Sequence, residues 1–354
     1  MLYTGIDHHK KYSIACTLDE KGQKRSESRI EANDEEAFAA YFARLEEASE
    51  VMLEACWNWG TLYDLLEETP GVEKVVLSHP AKNRIIAESQ IKNDRVDAHA
   101  LATLLRGNFY TQVHVPGKPV RTKKNQVRQR LWLSAMRTRI RNRIHTIIDR
   151  YPKAERPVYK DKFCNQGIAW LKRVPLPPPD RHLLDEDLEL HQTIQHQIKQ
   201  LEERIQEDNA TNPHATLLQS LPGVGKILAP VIALEIDQPE RFRTADKLCA
   251  YAGLVPTTHA SGGRISHGRM LPYCNKWLKW AFIEAAWVAV GCSDYFGAYY
   301  YRHRQRGKGA NNAIVITARR MAKIAWQLLI QNREYSKHPT ENFPRSLCKR
   351  TDDT

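Results

Sequence analysis

The sequence predicts an α/β domain followed by a mostly helical remainder, and three observations carry that reading. Residues 1 to about 115 alternate short apolar runs of strand character with helical patterns. One long helical segment, Val120 to Tyr151, comes next, and beyond about residue 214 the pattern is helical nearly throughout.

LYTGID is a short buried strand running into a turn, which places Asp7 at its end. YSIACTLDE and QKRSESRIEA are two further strands, and a helix is expected across Asp34 to Ala48. VMLEA is a fourth strand with Glu54 at its end, followed by a helix over Trp59 to Glu68 and a fifth strand, EKVVLS. This β-β-β-α-β-α-β order implies a mixed sheet flanked by helices, the order of the ribonuclease H-like fold. In IKNDRVDAHAL, Asp94 and Asp97 open a helix three residues apart. They share one face of its first turn, where the helix dipole favours acids.

Taken singly, Asp7 reads as a turn residue, Glu54 as a solvated charge and Asp94 as a helix cap. As a set they read as a site, because four converging carboxylates repel one another unless divalent cations neutralise them. Mg²⁺ or Mn²⁺ suits such oxygen donors. Two such ions, about 3.5–4 Å apart, support phosphodiester chemistry. The neighbouring His8 and His9 could touch a metal, but read first as solvated histidines.

The 354 residues suffice for two or three domains with their own cores. Lys and Arg number 53 against 41 Asp and Glu, a net charge of +12 that implies a polyanionic partner, most commonly nucleic acid. No apolar run approaches the roughly 18 residues of a membrane span, and Met1 leads directly into the first strand, so a cytoplasmic protein is expected. The 7 cysteines form no CxxC pair and the 14 histidines no HExxH, so neither a disulfide framework nor a zinc site is indicated.

The long helical segment holds 10 Lys and Arg and one acid, Asp149. Val127, Leu131, Leu133, Met136, Ile140, Ile144 and Ile147 form its apolar stripe. Pairing along one helix cannot satisfy so lopsided a balance. Arg121, Lys123, Lys124, Arg128, Arg130, Arg137, Arg139, Arg141 and Arg143 are therefore expected to contact phosphates of RNA or DNA. Prolines at 175, 177, 178 and 179 mark a break. After it, Leu184, Leu188, His191, Ile194, Ile198, Leu201 and Ile205 recur at helical steps. They suit an antiparallel hairpin with the basic helix, or a coiled coil with another chain.

In LLQSLPGVGKILAPVIALEI two helical segments meet at a glycine turn, as in a helix-hairpin-helix. Gly223, Gly225 and Lys226 could there approach a DNA backbone; a plain helix-helix turn is the alternative. RHRQRGKGANN is a basic loop carrying Arg304, Arg306 and Lys308, without the order of an ATP-binding P-loop. Ser261 precedes two glycines in a polar loop with His259, Arg264, His267 and Arg269. A serine there could attack a phosphate whose charge the arginines neutralise, although a Ser-Gly-Gly loop alone is more often a turn.

Taken together, the GID and LEA strands, KxDxxDA, the basic and coiled-coil region, LPGVG, AGLVP, SGG and ARRMAKIAW resemble the one-ten family of insertion-sequence transposases. These DEDD transposases are related to the Piv DNA invertases. The resemblance implies a RuvC-like domain over 1–115 whose metal-binding tetrad is Asp7, Glu54, Asp94 and Asp97. It further implies a basic coiled-coil region for RNA and subunit contacts over 116–212, a transposase domain with Ser261 as catalytic nucleophile over 213–335, and a tail over 336–354. Members are recombinases guided by a noncoding bridge RNA that pairs with donor and target double-stranded DNA. Their active site is composite, shared between subunits of a homodimer, and two dimers assemble into a homotetramer.

Three other readings stay open on the sequence. A RuvC-type hydrolytic nuclease would use the same carboxylates with water, a Piv-like invertase would need no RNA, and a basic packaging protein would bind without catalysis. Tyr251 and Tyr273 lack the Arg/His set that tyrosine recombination requires.

Overall fold

The computed structural model describes residues 1–56, 58–83, 93–151, 161–261 and 264–336. The chain divides into two compact units, Met1–Pro116 and Gly117–Thr354.

The first unit is built on β1 (Leu2–His8), β2 (Ser13–Leu18), β3 (Lys24–Ile30), α1 (Glu35–Phe42), β4 (Ser49–Glu54), α2 (Trp59–Glu68) and β5 (Val72–Ser78). A short α3 (Pro80–Asn83) and then α4 (Asp94–Arg106) follow. The five strands lie in the order β3-β2-β1-β4-β5. The β1–β2 and β2–β3 pairs are antiparallel, and β1–β4 and β4–β5 are parallel.

Strand alternation gives this sheet two apolar faces. Ile6, Val51, Leu53, Val75 and Leu77 meet α1 and α2 through Phe38, Phe42, Leu62 and Leu66. On the opposite face, Ile14, Cys16, Leu18, Met52 and Val76 pack against Ala98, Leu101, Ala102 and Leu105 of α4. Buried hydroxyls link the strands, with Thr4 Oγ1 at 2.7 Å from both Thr17 Oγ1 and Ser49 Oγ. Asp34 caps α1, but the helix stops at Phe42 and does not reach Ala48. Turn hydrogen bonds from Arg44 and Leu45 to the carbonyls of Tyr41 and Phe42 bring the chain round into β4.

In the second unit α5 (Lys118–Asp149) and α7 (Pro178–Asn209) flank the short α6 (Asn165–Leu171). The two long helices form an antiparallel hairpin within the chain, so the apolar stripe of α7 is used here. Ile140, Ile144, Ile147 and Ile148 of α5 pack on Leu184, Leu188, Ile194 and Ile198 of α7.

The rest comprises α8 (Pro213–Gln219), α9 (Leu228–Ile236), α10 (Ala245–Tyr251), β6 (Pro256–Ser261), β7 (Arg264–Met270), α11 (Lys276–Cys292), α12 (Asp294–Gln305) and α13 (Ala310–Gln331). Its core gathers Val231, Leu234, Leu248, Phe282, Phe296, Met321 and Ala325, and Val127 and Leu131 of α5 join it. The expected polar loop around Ser261 is instead the tip of a hairpin: β6 and β7 pair antiparallel, with Ser261 opposite Arg264. Two strands form because the alternating PTTHAS and RISHGRM segments satisfy each other's backbone groups.

Candidate active site

The site in the first unit begins with a residue that has no side chain. Gly5 lies on the α4 face of β1, and a Cβ there would stand 2.1 Å from the Ala98 carbonyl oxygen and 2.4 Å from the Ala102 amide. Glycine thus lets the helix lie directly on the strand. Two residues on, strand parity returns Asp7 to the same face. One turn back from Ala98, the helix presents Asp94.

The two carboxylates meet at a common atom. His9 Nε2 lies 3.0 Å from Asp7 Oδ2 and 3.2 Å from Asp94 Oδ2. Tyr12 donates from its hydroxyl to the same Asp94 oxygen at 2.9 Å, and its ring stacks on His9 with centroids 4.7 Å apart. The Arg29 guanidinium lies 3.9 Å from the Tyr12 ring centroid. The turn itself is tied down: His9 N donates to the Tyr12 carbonyl at 3.0 Å, and Asn33 Nδ2 donates to the His9 carbonyl at 2.7 Å. Asn93 caps α4 by accepting from the Val96 amide, which fixes the helix start beneath Asp94 and Asp97.

Burial pushes the Asp7 carboxyl above its ordinary range, because it takes charge out of water. His9 opposes that shift, while the nearby negative charges of Asp94 and Asp97 add to it. Asp97 thus lies within electrostatic reach of Asp7. Glu54 ends β4, whose parallel register pairs Ile6 with Leu53. It therefore stands one residue beyond Leu53 as Asp7 stands beyond Ile6, at neighbouring strand ends on the α4 face.

Of the two readings for these histidines, the one beside a metal fits His9. His9 pairs with both carboxylates, and His8 Nδ1 lies 3.1 Å from Ser13 Oγ, with burial holding its pKa below the usual histidine value. Sequence reading had no signal to separate them beyond the spacing in DHHKKY, which lets a tight turn fold position 9 back over the strand end. The donor set suits a divalent cation: Asp7, His9 and Asp94 each offer one ligand atom, all within 4.8 Å of one another.

In the second unit the basic helix is more fully paired than its own sequence suggested. Arg128 makes two bonds, at 2.8 and 3.0 Å, to Glu235 of α9, which is fully buried and also accepts from Asn275 Nδ2 at 2.8 Å. Lys124 is buried 3.9 Å from the same carboxylate, so it does not face phosphates as expected. Arg130 pairs with Glu202, Arg143 with Asp187, Arg137 with Gln195, and Arg141 with His191. Lys123 donates to the Asp208 carbonyl. The acids that α5 lacks come from α7 and α9, across the fold. Arg139 is exposed, and so is Trp132 on α5.

The glycine turn joins α8 to α9, yet Gly223 answers to packing. Its φ is +83°, and a Cβ would lie 2.1 Å from the Ala285 carbonyl of α11. Gly225 has open space around it, and Lys226 is exposed. In the basic loop Arg304 Nη1 donates to the Lys308 carbonyl at 3.0 Å, and Arg306 and Lys308 are exposed, as is Arg269 on β7. Gly262 and Gly263, which follow Ser261, lie outside the described residues. No helix of the described residues is long and apolar enough to cross a membrane.

A mixed five-stranded sheet with acids at its strand ends and at the start of the covering helix is the arrangement of a ribonuclease H-like DEDD domain. A DEDD transposase model of IS110 elements matches residues 4–152, the stretch holding Asp7, Glu54, Asp94 and Asp97. A second model, Transposase IS116/IS110/IS902 family, matches residues 215–301, which include Ser261. The chain belongs to this family of insertion-sequence transposases.

Among its relatives, the IS110 uncharacterized 43.6 kDa protein of Streptomyces coelicolor is 34% identical over 38% of this chain and 34% of its own length. The pilin gene-inverting protein of Moraxella bovis is 32% identical over 41% of this chain and 44% of its own length. A probable family 20 transposase of Pseudomonas aeruginosa is 27% identical over 68% of this chain and 73% of its own length. The chain thus spans between a third and a half of the Streptomyces and Moraxella relatives it matches.

Proposed function

We propose that this protein is a DNA recombinase that moves an insertion sequence by cutting and rejoining donor and target double-stranded DNA, with Ser261 as nucleophile and Asp7, Glu54, Asp94 and Asp97 as a metal-binding tetrad. The observation that carries the reading is the convergence of Asp7 and Asp94 on one atom, within a domain that matches a DEDD transposase. Asp7 and Asp94, with Asp97 and Glu54 beside them, would hold Mg²⁺ or Mn²⁺. A bound divalent ion supplies positive charge against the scissile phosphate and lowers the barrier to attack on phosphorus.

Ser261 Oγ loses its proton to solvent and forms a bond to phosphorus as the bond from phosphorus to the 3′ oxygen breaks. The 3′ oxygen takes up a proton, leaving a free 3′-OH and a 5′-phosphoserine. Rejoining reverses this: the 3′-OH of the exchanged strand attacks phosphorus and Ser261 Oγ leaves. The phosphodiester energy is conserved, so no nucleotide cofactor is required. Arg264 and Arg269, on the strand that follows Ser261, would neutralise charge building on the phosphate.

Sequence choice would come from a noncoding bridge RNA that pairs with both DNAs, leaving the protein to contact backbone and shape. The exposed Trp132 and Arg139 of α5 offer a stacking ring and a cation for that RNA. The site would be completed between subunits, Ser261 of one chain serving the carboxylates of another in a dimer, with two dimers forming the working tetramer. The pilin gene-inverting relative favours a second reading, site-specific DNA inversion, which would need no RNA guide.

Purified protein, Mg²⁺ or Mn²⁺, RNA from the element's flanking end and both DNAs decide between these. Joining that disappears on RNase treatment supports guided transposition; joining that survives it supports inversion. Cutting that continues in Ser261→Ala without a protein–DNA adduct contradicts both and leaves a hydrolytic nuclease.

A further inference from the structure

His9 is held more firmly than a passing neighbour of the carboxylates would need to be. Its ring is stacked on Tyr12, and its backbone is bonded at both N–H and carbonyl. Tyr12, which carries the stack, is itself bonded to Asp94. The ring therefore has little freedom to leave the space between Asp7 and Asp94, and a ligand fixed in advance loses little entropy on binding.

Two of the three donor separations match what a shared cation requires, and the third is within 4.8 Å. Donors on adjacent corners of an octahedron, with bonds of about 2.1 Å, stand about 3.0 Å apart. The observed separations are 3.0 Å from His9 Nε2 to Asp7 Oδ2 and 3.2 Å from His9 Nε2 to Asp94 Oδ2.

We infer that His9 Nε2 is a third protein donor to the cation held by Asp7 and Asp94, and that this imidazole makes the site prefer Mn²⁺ to Mg²⁺. The inference rests on the metal-dependent reading proposed above. Mg²⁺ favours oxygen donors and surrenders its water reluctantly, whereas imidazole nitrogen suits first-row transition ions. Three carboxylates would give a hard, all-oxygen site, and replacing one by nitrogen shifts the balance. Tyr12 acts as a positioning residue, orienting the ring and one Asp94 oxygen together.

The test is metal binding by the full chain, without DNA. Mn²⁺ is titrated and followed by the EPR signal of the free ion, Mg²⁺ affinity is taken by competition, and pulsed EPR reads nitrogen coupling to bound Mn²⁺. Wild type is expected to bind Mn²⁺ at least about tenfold more tightly than Mg²⁺ and to show imidazole nitrogen coupling. His9→Gln is expected to lose that coupling and about tenfold of its Mn²⁺ affinity, with Mg²⁺ affinity changed less than about twofold.

Absence of nitrogen coupling in wild type, its persistence in His9→Gln, or equal weakening of both ions overturns the inference. The wild-type coupling needs no variant, so poor folding of His9→Gln does not blunt the test. If Mn²⁺ binds and is lost in Asp94→Asn but shows no nitrogen coupling, the carboxylate site stands and His9's role falls. If neither ion binds wild type, the metal reading falls with it.

Discussion

Gly5 of β1 and Ala98 of α4 are in such close contact that a single added carbon at Gly5 would overlap the Ala98 carbonyl. That contact sets the separation of strand and helix. It thereby sets the distance between Asp7, two residues along the strand, and Asp94, one turn back along the helix.

Gly5→Ala should accordingly disturb a site it does not touch. Overpacking of this kind costs about 1–3 kcal/mol, and displacement of α4 should weaken Mn²⁺ binding about tenfold. Urea unfolding and metal titration read the two effects. Unchanged metal affinity in a destabilised variant would show that the helix does not govern the carboxylate geometry.

Asp94→Asn keeps the shape of the side chain and removes its charge. DNA cleavage should fall about 10²–10³-fold, the usual loss when one pre-set electrostatic group is removed from a phosphoryl or acyl transfer site. Nucleic-acid affinity should be nearly unchanged. A parallel loss of binding, measured by gel shift, would make Asp94 a structural residue.

Arg128 and Arg139 stand on the same basic helix and should behave oppositely. Arg128→Ala removes two bonds to the fully buried Glu235, leaving it Asn275 and, at 3.9 Å, Lys124, and should destabilise the second unit by about 1.5–3 kcal/mol. Arg139→Ala should leave stability within about 0.5 kcal/mol but weaken RNA binding and lower its salt dependence by about one ion. Denaturant melts and binding isotherms at several salt concentrations separate the two.

Asp246 shows how pH should act on the helical unit. Hydrogen bonds from Lys323 and Arg319 hold its carboxyl below the ordinary value of 3.8, so the folded state favours the charged form. The stabilisation is present above the unfolded pKa and is lost as pH falls through the folded one. Asp246→Asn should thus melt slightly below wild type at pH 7, by an amount typical of a surface pair, about 0.5 kcal/mol. The difference should close below pH 3.8, and a gap that widens in acid would reverse the assigned sign.

The first unit was legible because its signals are local. Short apolar runs in LYTGID, VMLEA and EKVVLS mark strands buried on both faces, and α2 spans Trp59–Glu68 as expected. What escaped was non-local. Arg128 finds Glu235 107 residues away and Arg130 finds Glu202 72 residues away, so charge counted along α5 alone overstated the surface available to phosphates. Gly223 resembled a phosphate-binding turn, but its missing side chain is needed where α11 comes close. His9 read more readily as a solvated histidine than as a metal neighbour, because only the closed turn from His9 to Tyr12 brings its ring between two acids.

The most direct test of serine-mediated recombination is trapping of a covalent protein–DNA adduct. Full-length protein, divalent metal, guide RNA and donor and target DNA would be denatured mid-reaction and the adduct mapped by peptide mass. An adduct on Ser261 that vanishes in both Ser261→Ala and Asp94→Asn is expected. Metal-dependent strand cutting that leaves wild type free of any adduct would contradict it.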